Sequence, residues 1–466
     1  MFAEFNRQIR AQSKLEKQMQ VLVLGGGTVG GYIAKRLSEQ RHDVTVVESR
    51  RELCQELDLN DVRVLCGNAL HASVLFQAAA TTADVCFALT GSDETNLLAG
   101  SVARAMGARR VGARVNSIEF RDFTSFDYRR HFLIDRFMTQ DYLTAIEIAS
   151  RIREPGAMLI EHFANGELEL QDVLITRESS LTGRPLSDLK LSSDVRVGAI
   201  TRDGLSKIAT AADKISLGDR VALMGTRAQV ERVKKTLLTG SALRPYVLIA
   251  GGGEIGLNTA RILCHRGYDV KIFERNLERC NYLARQFGNA ATIVHGDGRR
   301  RATLDEQGAD KADFFIACAG DDENNIMACV EALELGTRKC VAVVKHVDYA
   351  GIVSKLGVSE AVSPYDVMAR QAEGFMHVGA LVFQNSRILN GDVEVLEIEV
   401  GGGSEATRRE LRDLPTPRPT LIVSVVRDNT AMMPSAEFKF CENDLVVALT
   451  TSPNVANLVH LFERPR

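Results

Sequence analysis

The chain has 466 residues and a formal net charge of −3, from 57 basic and 60 acidic side chains. This length exceeds what one hydrophobic core organises, so we predict several domains. The balanced charge excludes bulk electrostatic capture of nucleic acid or of an anionic membrane surface. With 45% apolar residues and no apolar run of membrane-spanning length, direct membrane insertion is excluded as well.

Residues 1–18 lack the apolar core of a signal peptide, and two interpretations stay open for them: a short amphipathic helix or no ordered structure. The nine cysteines show no C-x-x-C spacing, and Cys66, Cys86 and Cys318 lie in apolar, strand-like runs. We therefore expect reduced core thiols in a cytoplasmic protein. The nine histidines form no ligand cluster, so we expect no metal site.

One long segment of the sequence occurs twice. VLVLGGGTVGGYIAKRLSEQRHDVTVVE begins at Val21, and VLIAGGGEIGLNTARILCHRGYDVKIFE begins at Val247. The similarity continues, because ALTGSDETNLLAGSVARAMG at 88–107 matches ACAGDDENNIMACVEALELG at 317–336. A repeat of this length indicates the internal duplication of a whole domain.

Within each copy, five apolar runs alternate with stretches of helical period. In the first helical stretch, Val29, Ile33 and Leu37 recur at the spacing of one helix face. Strands that alternate with helices predict right-handed βαβ units and a parallel sheet that is covered on both faces. The predicted strands are 21–24, 44–47, 62–65, 85–89 and 111–115 in the first copy, and 247–250, 270–273, 292–294, 314–318 and 341–344 in the second.

A helical connector and a smaller unit follow each copy. The first small unit has strand-like LELQDVLI, VRVGAI and RVALMG with a turn at Arg202–Gly204, and the second has VEVLEIEV, TLIVSVV and DLVVALT with a turn at Arg427–Asn429. GRPLSDLKL and RRELRDL are predicted to be short helices at equivalent places.

The predicted fold class is α/β, a tandem duplication of a Rossmann-like domain with a doubly wound parallel sheet, each followed by a small α+β domain. The predicted boundaries are 1–18 for an N-terminal extension, 19–140 and 245–362 for the Rossmann-like domains, 141–157 and 363–380 for the connector helices, and 158–240 and 388–466 for the small domains.

The first glycine loop satisfies the G-x-G-x-x-G pattern of dinucleotide-binding folds. Gly25 permits a tight turn, Gly27 lets a pyrophosphate approach the backbone, and Gly30 lets the following helix pack on the sheet. That helix would direct unsatisfied N–H groups at the phosphates. Glu48 ends the next strand, where a carboxylate accepts hydrogen bonds from ribose hydroxyls and repels a 2′-phosphate. The loop therefore predicts binding of NAD(H) or another adenine nucleotide in preference to NADP(H).

The second copy repeats this pattern with Gly251, Gly253, Gly256 and Glu274. Arg275 beside the glutamate weakens the ribose argument. Two interpretations therefore stay open for this copy: a second nucleotide site, or a retained loop that has lost its ligand.

Further polar positions align at the carboxyl ends of the predicted strands, where such sheets bind ligands. For Arg114, contact with a phosphate and a surface ion pair stay equally open. We interpret Asp93 and Glu94 as favourable charge at a helix N-terminus. Asn96, like Asn325, is either polar core or site lining. The aligned pairs are Asn68 with Asp297, Thr90-Gly91 with Ala319-Gly320, and Arg114 with Lys345.

The chain resembles the TrkA family, the cytosolic nucleotide-binding subunits of bacterial Trk-type potassium uptake systems. The resemblance is carried by the glycine loops, by ALTGSDETNLLA, ARV and AIEIASRIREPGA, and by SSLTGRPLSDLKL followed by VGAITRDG. The resemblance covers 19–466 and implies two RCK units (regulators of potassium conductance). Its implied ligands are NAD(H), and ATP or ADP in the same site. Carried over residue by residue, the implied contacts are Gly25, Gly26, Gly27, Thr28, Val29, Gly30, Glu48, Asn68, Thr90, Gly91 and Arg114, then Gly251, Gly252, Gly253, Glu254, Ile255, Gly256, Glu274, Asp297, Ala319, Gly320 and Lys345.

The resemblance also implies partners and a location. Family members form homo-oligomeric rings, here a tetramer, that dock on the cytoplasmic face of a potassium-translocating membrane subunit of the Trk type, without nucleic acid. Neither small unit offers a catalytic set, so we predict a regulatory protein and no enzyme. Two alternatives remain open: an NAD-dependent oxidoreductase, and an RCK-type regulator of a different cation transporter.

Overall fold

The structure, a computed structural model, describes residues 18–57, 61–121, 126–152, 160–163, 168–175, 181–189, 191, 194–237, 244–346, 349–378, 382–388, 393–427 and 430–464. The chain forms two compact units. One unit comprises Met1–Thr144 and Ser363–His377, and the other comprises Ala145–Val362 and Val378–Arg466.

The first unit is built on a six-stranded sheet in the order β3-β2-β1-β4-β5-β6, whose strand pairs are all parallel. This order is that of the dinucleotide-binding doubly wound fold. Its strands are β1 Gln20–Leu24, β2 Asp43–Glu48, β3 Arg63–Cys66, β4 Val85–Ala88, β5 Val111–Arg114 and β6 Arg136–Met138. The helices along this part of the chain are α1 Thr28–Glu39, α2 Arg51–Leu57, α3 Ala72–Gln77, α4 Asp93–Met106, α5 Ile118–Arg121, α6 Tyr128–His131 and α7 Gln140–Arg151.

Both faces of this sheet are buried, which explains why its strands read as continuous apolar runs. On one face, Val21, Val23 and Phe87 pack against the α1 stripe, and α1 buries Ile33 and Leu37 as its period predicts. On the opposite face a second buried cluster packs under α4. The polypeptide turn between β1 and α1 is thereby held at the carboxyl edge of the sheet.

The small domain after the first Rossmann-like domain is an antiparallel sheet in the order β10-β9-β11-β8-β7. The turn at Arg202–Gly204 is confirmed, because Asp203 and Gly204 both have positive φ, of 50° and 79°. Its elements are β7 Ile160–Phe163, β8 Leu168–Leu174, β9 Val195–Arg202, β10 Leu205–Ile208, β11 Arg220–Gly225 and α8 Arg227–Leu237.

The second copy repeats the first sheet in both order and direction, β14-β13-β12-β15-β16-β17 with all pairs parallel. Its strands are β12 Tyr246–Ala250, β13 Asp269–Glu274, β14 Ala291–His295, β15 Phe314–Ala317, β16 Lys339–Val343 and β17 Glu360–Val362. Its helices are α9 Glu254–His265, α10 Leu277–Phe287, α11 Arg301–Glu306, α12 Asp322–Glu334, α13 Ala350–Lys355 and α14 Pro364–Val378.

The second small domain is again antiparallel, in the order β18-β19-β22-β20-β21. The two small sheets share one hydrophobic core, in which Leu168 and Met224 of the first meet Val395 and Leu449 of the second. Its elements are β18 Val382–Ile388, β19 Val393–Glu399, α15 Glu405–Arg408, β20 Thr420–Arg427, β21 Thr430–Met432, β22 Leu445–Thr450 and α16 Val455–His460.

The connector helices pack on sheets that are distant from them in sequence. In the first unit, α14 buries Met368, Ala372 and Phe375 in the same cluster as Val21 and Val23 of β1. The Arg110 guanidinium closes the end of this helix by donating to the carbonyls of Phe375 and Met376, at 2.9 and 3.0 Å. In the other unit, the Arg266 guanidinium donates to the carbonyl of Ala149 near the end of α7, at 2.6 Å.

The predicted fold class is confirmed, and the structure adds elements that periodicity did not indicate. Each parallel sheet has a sixth strand, β6 and β17, which are only three residues long. GRPLSDLKL contributes a 3₁₀ turn at Leu186–Asp188, and RRELRDL one at Leu411–Asp413. The predicted turn at Arg427–Asn429 and nearly all of the N-terminal extension lie outside the described residues.

The prediction that all cysteines are reduced is wrong for two of them. Cys54 and Cys66 form a disulfide, because α2 and β3 hold their Cα atoms 6.1 Å apart, within the range that the bond requires. The other seven cysteines are free thiols. Among these, burial raises the pKa of Cys86 and of Cys318 to about 12, so both stay protonated at neutral pH.

Candidate functional site

The first glycine loop has the backbone geometry that its sequence predicts. Gly25 has a φ of +100°, and a Cβ there would lie 2.9 Å from the backbone of Thr90. A Cβ on Gly30 would lie 1.9 Å from the carbonyl oxygen of Gly25, so the helix can start here only without a side chain. A Cβ on Gly27 would meet nothing closer than the Arg50 guanidinium at 3.5 Å. The packing of the protein therefore does not require a glycine at position 27, and the absence of a side chain there leaves open space above the loop.

This open space belongs to a cavity of about 670 Å³ at the carboxyl edge of the first sheet. The volume lies within the range of ligand sites for molecules of nucleotide size. The cavity is lined by most of the predicted contacts, whereas Gly26 and Gly30 lie behind its wall. The predicted residues that line it are Gly25, Gly27, Thr28, Val29, Glu48, Asn68, Thr90, Gly91 and Arg114.

The Glu48 carboxylate is 5% exposed and faces both the loop and the cavity. One oxygen accepts the N–H of Gly26 at 2.8 Å, and the other accepts the N–H groups of Ser49 and Arg50, each at 2.9 Å. Burial favours the neutral acid, but the hydrogen bonds from Arg50 and Gly26 outweigh it and lower the pKa of Glu48 below its usual value. Glu48 is therefore an ionised acceptor at the edge of the cavity.

The structure decides between polar core and site lining for Asn96 and Asn325, which stand at equivalent positions in the two copies. The Asn96 amide is fully buried and links the ends of two strands: its oxygen accepts the N–H of Thr90 at 2.7 Å, and its nitrogen donates to the carbonyl of Arg114 at 2.9 Å. Asn325 makes the same contacts with Ala319 and Val343. Val343 is therefore the structural counterpart of Arg114, and the predicted pairing of Arg114 with Lys345 is wrong, because Lys345 takes the place of Asn116. Both asparagines are polar core, and they brace the strand ends that carry the site.

Asp93 also acts within the fold. Its carboxylate accepts the backbone N–H groups of Asn116 and Ser117, at 2.8 and 2.7 Å, and so fixes the loop after β5 to the start of α4. Ser92 caps the same helix by accepting the N–H of Thr95 at 3.1 Å. Neither residue needs a ligand to explain its position.

Arg114 lies half-buried in the cavity wall, and its Nε atom is buried with no hydrogen-bond partner among the described residues. A buried guanidinium N–H without a partner is costly, and an anionic ligand would supply the missing acceptor. This observation favours the phosphate interpretation of Arg114 over the surface ion pair.

Several residues that line the cavity were not predicted from the sequence. Gln140, the first residue of α7, and Tyr365, in the first turn of α14, both reach the cavity, and the Gln140 side-chain oxygen is buried without a partner in the described part of the chain. Neither residue has a signal in the glycine motif, because both come from segments that only the fold brings to this edge. Arg50, two residues after Glu48, also lines the cavity and was identifiable from its place after the strand.

The second glycine loop has the same backbone but a smaller cavity, of about 240 Å³. Glu254 stands where the first copy has Thr28, and its carboxylate pairs with Arg279 at 2.9 Å. The Lys345 ammonium donates to the carbonyl of Gly320 at 2.7 Å. The predicted residues that line this cavity are Gly251, Gly253, Glu274, Asp297, Ala319 and Gly320, whereas Gly252, Glu254, Ile255, Gly256 and Lys345 do not.

An ion pair fills part of the second cavity. The Arg299 guanidinium holds both carboxylate oxygens of Asp297, each at 2.9 Å, and this bonding lowers the pKa of Asp297 below its usual value. The first copy has the neutral Asn68 at this position, and its side-chain oxygen accepts the N–H of Leu70 at 2.9 Å. The second cavity therefore presents an ion-paired carboxylate where the first presents an amide, and its volume of about 240 Å³ is below the usual range of small-molecule sites.

Two further findings bear on chemistry. Within the described ranges, no group of three or more His, Cys, Asp and Glu side chains is placed to hold a metal ion. A search of the same ranges finds no helix that is both long and apolar enough to cross a bilayer. The first site is equipped to bind an anionic ligand: around one open cavity it offers backbone N–H groups, an ionised acceptor and a guanidinium whose buried Nε lacks a partner in the described part of the chain.

Comparisons with known proteins cover nearly the whole chain. The TrkA-N domain model matches residues 21–125 and 247–364, and the TrkA-C domain model matches 170–238. A Trk system potassium uptake protein TrkA homolog of Archaeoglobus fulgidus is 30% identical, over 95% of this chain and 100% of its own. A Trk system potassium uptake protein TrkA of Vibrio alginolyticus is 30% identical, over 96% of this chain and 99% of its own.

Solved structures agree on the fold. The crystal structure of the GsuK RCK domain superposes with a TM-score of 0.57 at 18% identity and covers 94% of each chain. The GsuK channel bound to NAD gives a TM-score of 0.57 at 16% identity, over 96% of this chain and 79% of that one. The family models and the full-length relatives together show that the chain belongs to the TrkA family of Trk system potassium uptake proteins.

Proposed function

We propose that this chain is the nucleotide-sensing regulatory subunit of a Trk-type potassium uptake system, and that its first glycine cradle binds an adenine nucleotide without transforming it. The observation that carries the proposal is one cavity of about 670 Å³ that joins an open glycine loop, an ionised Glu48 and the Arg114 guanidinium, whose buried Nε has no partner among the described residues. NAD(H) fits these groups, and ATP or ADP would use the same phosphate and ribose contacts.

The residues divide the work among the parts of such a ligand. The open space above Gly27 and the N-terminus of α1 would hold the phosphates, because unpaired N–H groups and the helix dipole favour negative charge there. Glu48 would accept the ribose hydroxyls. Arg114 would donate to a phosphate oxygen, and Gln140 and Tyr365 would close the cavity from the side.

The proposed ligands agree with what is known of similar proteins. The full-length relatives are Trk system potassium uptake proteins, and the GsuK channel, which shares the fold, has been solved bound to NAD. These names support a role in potassium uptake and a nucleotide ligand.

We assign the second glycine cradle a structural role. Its cavity is about 240 Å³, and the Asp297–Arg299 pair occupies the position of Asn68. This bidentate ion pair takes up space in the second cavity that Asn68 leaves open in the first. We therefore expect one nucleotide for each chain.

Regulation follows from differential binding. A nucleotide shifts an equilibrium between two shapes only if it binds one of them more tightly. A ring that responds differently to NADH and NAD⁺, or to ATP and ADP, would therefore have two shapes whose relative affinities for the paired nucleotides differ. We propose that four chains form such a ring on the cytoplasmic face of a potassium-translocating membrane subunit. The change in ring shape then alters the conductance of that partner.

Potassium uptake by cells that lack their own copy of this subunit tests the proposal. We expect wild-type chain and Gly253→Asp to restore uptake from low external potassium, and Gly27→Asp to fail although it accumulates to the same level. Restoration of uptake by Gly27→Asp would exclude the first cradle as the sensing site.

The oxidoreductase alternative differs in one measurable respect. If the chain binds NADH without oxidising it, the NADH absorbance stays constant over a prolonged incubation of the protein with NADH and candidate small carbonyl substrates. Steady oxidation of NADH by the purified chain, abolished by Gly27→Asp, would favour the enzyme.

A further inference from the structure

The disulfide between Cys54 and Cys66 lies directly behind the first cavity. Cys54 is on α2 and is buried, whereas Cys66 is the exposed last residue of β3. The Cys54 sulfur is 3.4 Å from the carbonyl oxygen of Glu48, and Glu48 is the register partner of Cys66 in the sheet. The bond thus joins two segments on either side of the carboxylate that faces the ribose position.

Both joined segments continue into the cavity wall. Ser49 and Arg50 immediately precede α2, and Gly67 and Asn68 immediately follow Cys66; all four line the cavity. The N–H of Gly67 donates to the carbonyl of Glu48 at 2.8 Å, so the two walls already meet at this point. The disulfide is the covalent link between them.

The helix that carries Cys54 also supports the glycine loop. A Cβ on Gly26 would lie 2.3 Å from the Leu57 side chain of α2, and a Cβ on Gly31 would lie 3.1 Å from it. A displacement of α2 would therefore move both the glycine loop, where the phosphates are proposed to bind, and the wall beside the ribose position.

The second copy provides an internal comparison. Cys280 stands at the position of Cys54, with its sulfur 3.3 Å from the carbonyl of Glu274. The register partner of Glu274 is His295, however, so the second cysteine is missing and Cys280 is a free thiol. The complete pair occurs in the copy that has the larger cavity and is absent from the copy that has the smaller one.

We propose that Cys54 and Cys66 form a redox modification site that sets the nucleotide affinity of the first cavity. Disulfides in reducing compartments are typically transient and redox-sensing, which fits the cytoplasmic location proposed above. In the oxidised form the ribose walls are tethered and preorganised for the ligand; in the reduced form they are free to separate, so binding must first order them. This inference rests on the proposed nucleotide site.

The chemistry is thiol–disulfide exchange with a low-molecular-weight disulfide such as oxidised glutathione. The thiolate of the exposed Cys66 attacks one sulfur of the small disulfide and expels one small thiol, which takes a proton. The Cys54 thiolate then attacks the Cys66 sulfur of the mixed disulfide and expels the second small thiol. One small disulfide is reduced to two thiols, and the protein pair is oxidised. Dithiols reverse the reaction.

The test measures the Kd for NADH on the full chain after treatment with oxidised glutathione or with dithiothreitol, with the thiol state verified by alkylation and mass spectrometry. We expect reduction to weaken binding by about two- to tenfold, the scale expected for ordering one wall segment. Cys66→Ser should bind like the reduced wild type under both treatments. The matched variant Cys280→Ser, in the second copy, should respond to reduction as the wild type does.

Three results would overturn the inference. The first is an NADH Kd of the wild type that is the same in both verified thiol states. The second is a failure of oxidised glutathione to form the Cys54–Cys66 bond. The third is an NADH Kd of Cys66→Ser that still changes with reductant. In each of these cases NADH binding itself remains, so the proposed function stands. Absence of NADH binding in every thiol state would instead overturn the proposed function, and the inference with it.

Discussion

Gly27 and Gly30 stand three residues apart in one loop, but the fold and the ligand constrain them differently. Gly27 has a φ of −63°, which any residue adopts, and its Cβ would project into open cavity. The Cβ of an alanine at Gly30 would collide with the Gly25 carbonyl oxygen. A loop shaped only for folding would require Gly30 and tolerate side chains at Gly27.

We predict that Gly27→Ala leaves the stability of the chain within about 1 kcal/mol of wild type but weakens NADH binding at least ~tenfold, because the methyl group fills the phosphate approach. Gly30→Ala should instead lower the free energy of unfolding by about 3 kcal/mol or more. Thermal unfolding and NADH titration of both variants separate the two effects. Equal affinity of Gly27→Ala and wild type for NADH would show that the phosphates do not bind at this loop.

The ionised state of Glu48 predicts a pH dependence. Its folded-state pKa is lowered, so its contribution to stability is fully present above the unfolded value of about 4.3 and is lost as the pH falls through the lower folded value. Glu48→Gln loses the charge and turns an amide donor toward backbone N–H groups. We expect it to cost about 1.5–3 kcal/mol at pH 7 and much less in acid, once the pH lies below the lowered folded-state pKa.

Denaturant unfolding of Glu48→Gln and wild type at both pH values measures this gap. A gap of the same size at pH 7 and in acid would mean that the carboxylate charge does not stabilise the loop. NADH binding at pH 7 should fall in the same variant, because the ribose loses its ionised acceptor.

At single positions, the sequence predicted those residues whose role is local. The glycines and Glu48 follow from the chemistry of a phosphate next to a strand–turn–helix, which is contained in one short segment. Gln140 and Tyr365 were not predictable, because their contribution depends on where α7 and α14 begin in space. The Cys54–Cys66 bond was missed because spacing along the chain does not reveal which cysteines meet.

Among the elements, α14 has the largest consequence for the site. It docks on the first sheet through Phe375, which is 1% exposed and lies 5.9 Å from the Phe87 ring, and its first turn places Tyr365 in the cavity wall. The Arg36 guanidinium of α1 holds the same helix through Asp366 and through Glu373, the latter at 2.5 Å. The helix α14, which packs beside α1, therefore forms part of the cavity wall.

We predict that Phe375→Ala lowers the stability of the first unit by about 3–5 kcal/mol and weakens NADH binding, because the helix loses its main buried anchor. Hydrogen exchange along residues 364–378 and NADH titration measure the two effects. The control is Arg370→Ala on the same helix, whose side chain is 42% exposed and pairs with Asp366; it should change stability by less than about 1 kcal/mol. Unchanged exchange in Phe375→Ala would show that α14 is held elsewhere.

The longer elements were predictable and the shortest were not. Ten strands follow from predicted apolar runs of three to five residues, and α1 follows from its buried stripe. The strands β6 and β17 are three residues long and pair only at the sheet edge, so their burial pattern carries no period that a sequence can show. The strands β7 and β18 fall in stretches without alternation, and the small sheets gain them only by pairing with β8 and β19.

For the whole molecule, the duplication was the strongest signal in the sequence, and the two copies have kept one fold while their cavities differ. Both loops keep the positive φ at Gly25 and Gly251, and both buried asparagines brace the same strand ends. The side chains around the cavity changed instead: Thr28 to Glu254 and Asn68 to Asp297 add two carboxylates. A second copy that keeps the backbone while its cavity narrows is consistent with the structural role that we propose for it.

The central claim is that one chain holds one adenine nucleotide, in the first cradle. Calorimetric titration of the ligand-stripped full chain with NADH, and separately with ADP, tests it most directly. The account predicts one binding event per chain, unchanged in Gly253→Asp and lost in Gly27→Asp. Two events per chain, or a titration that Gly253→Asp abolishes and Gly27→Asp leaves intact, would contradict it.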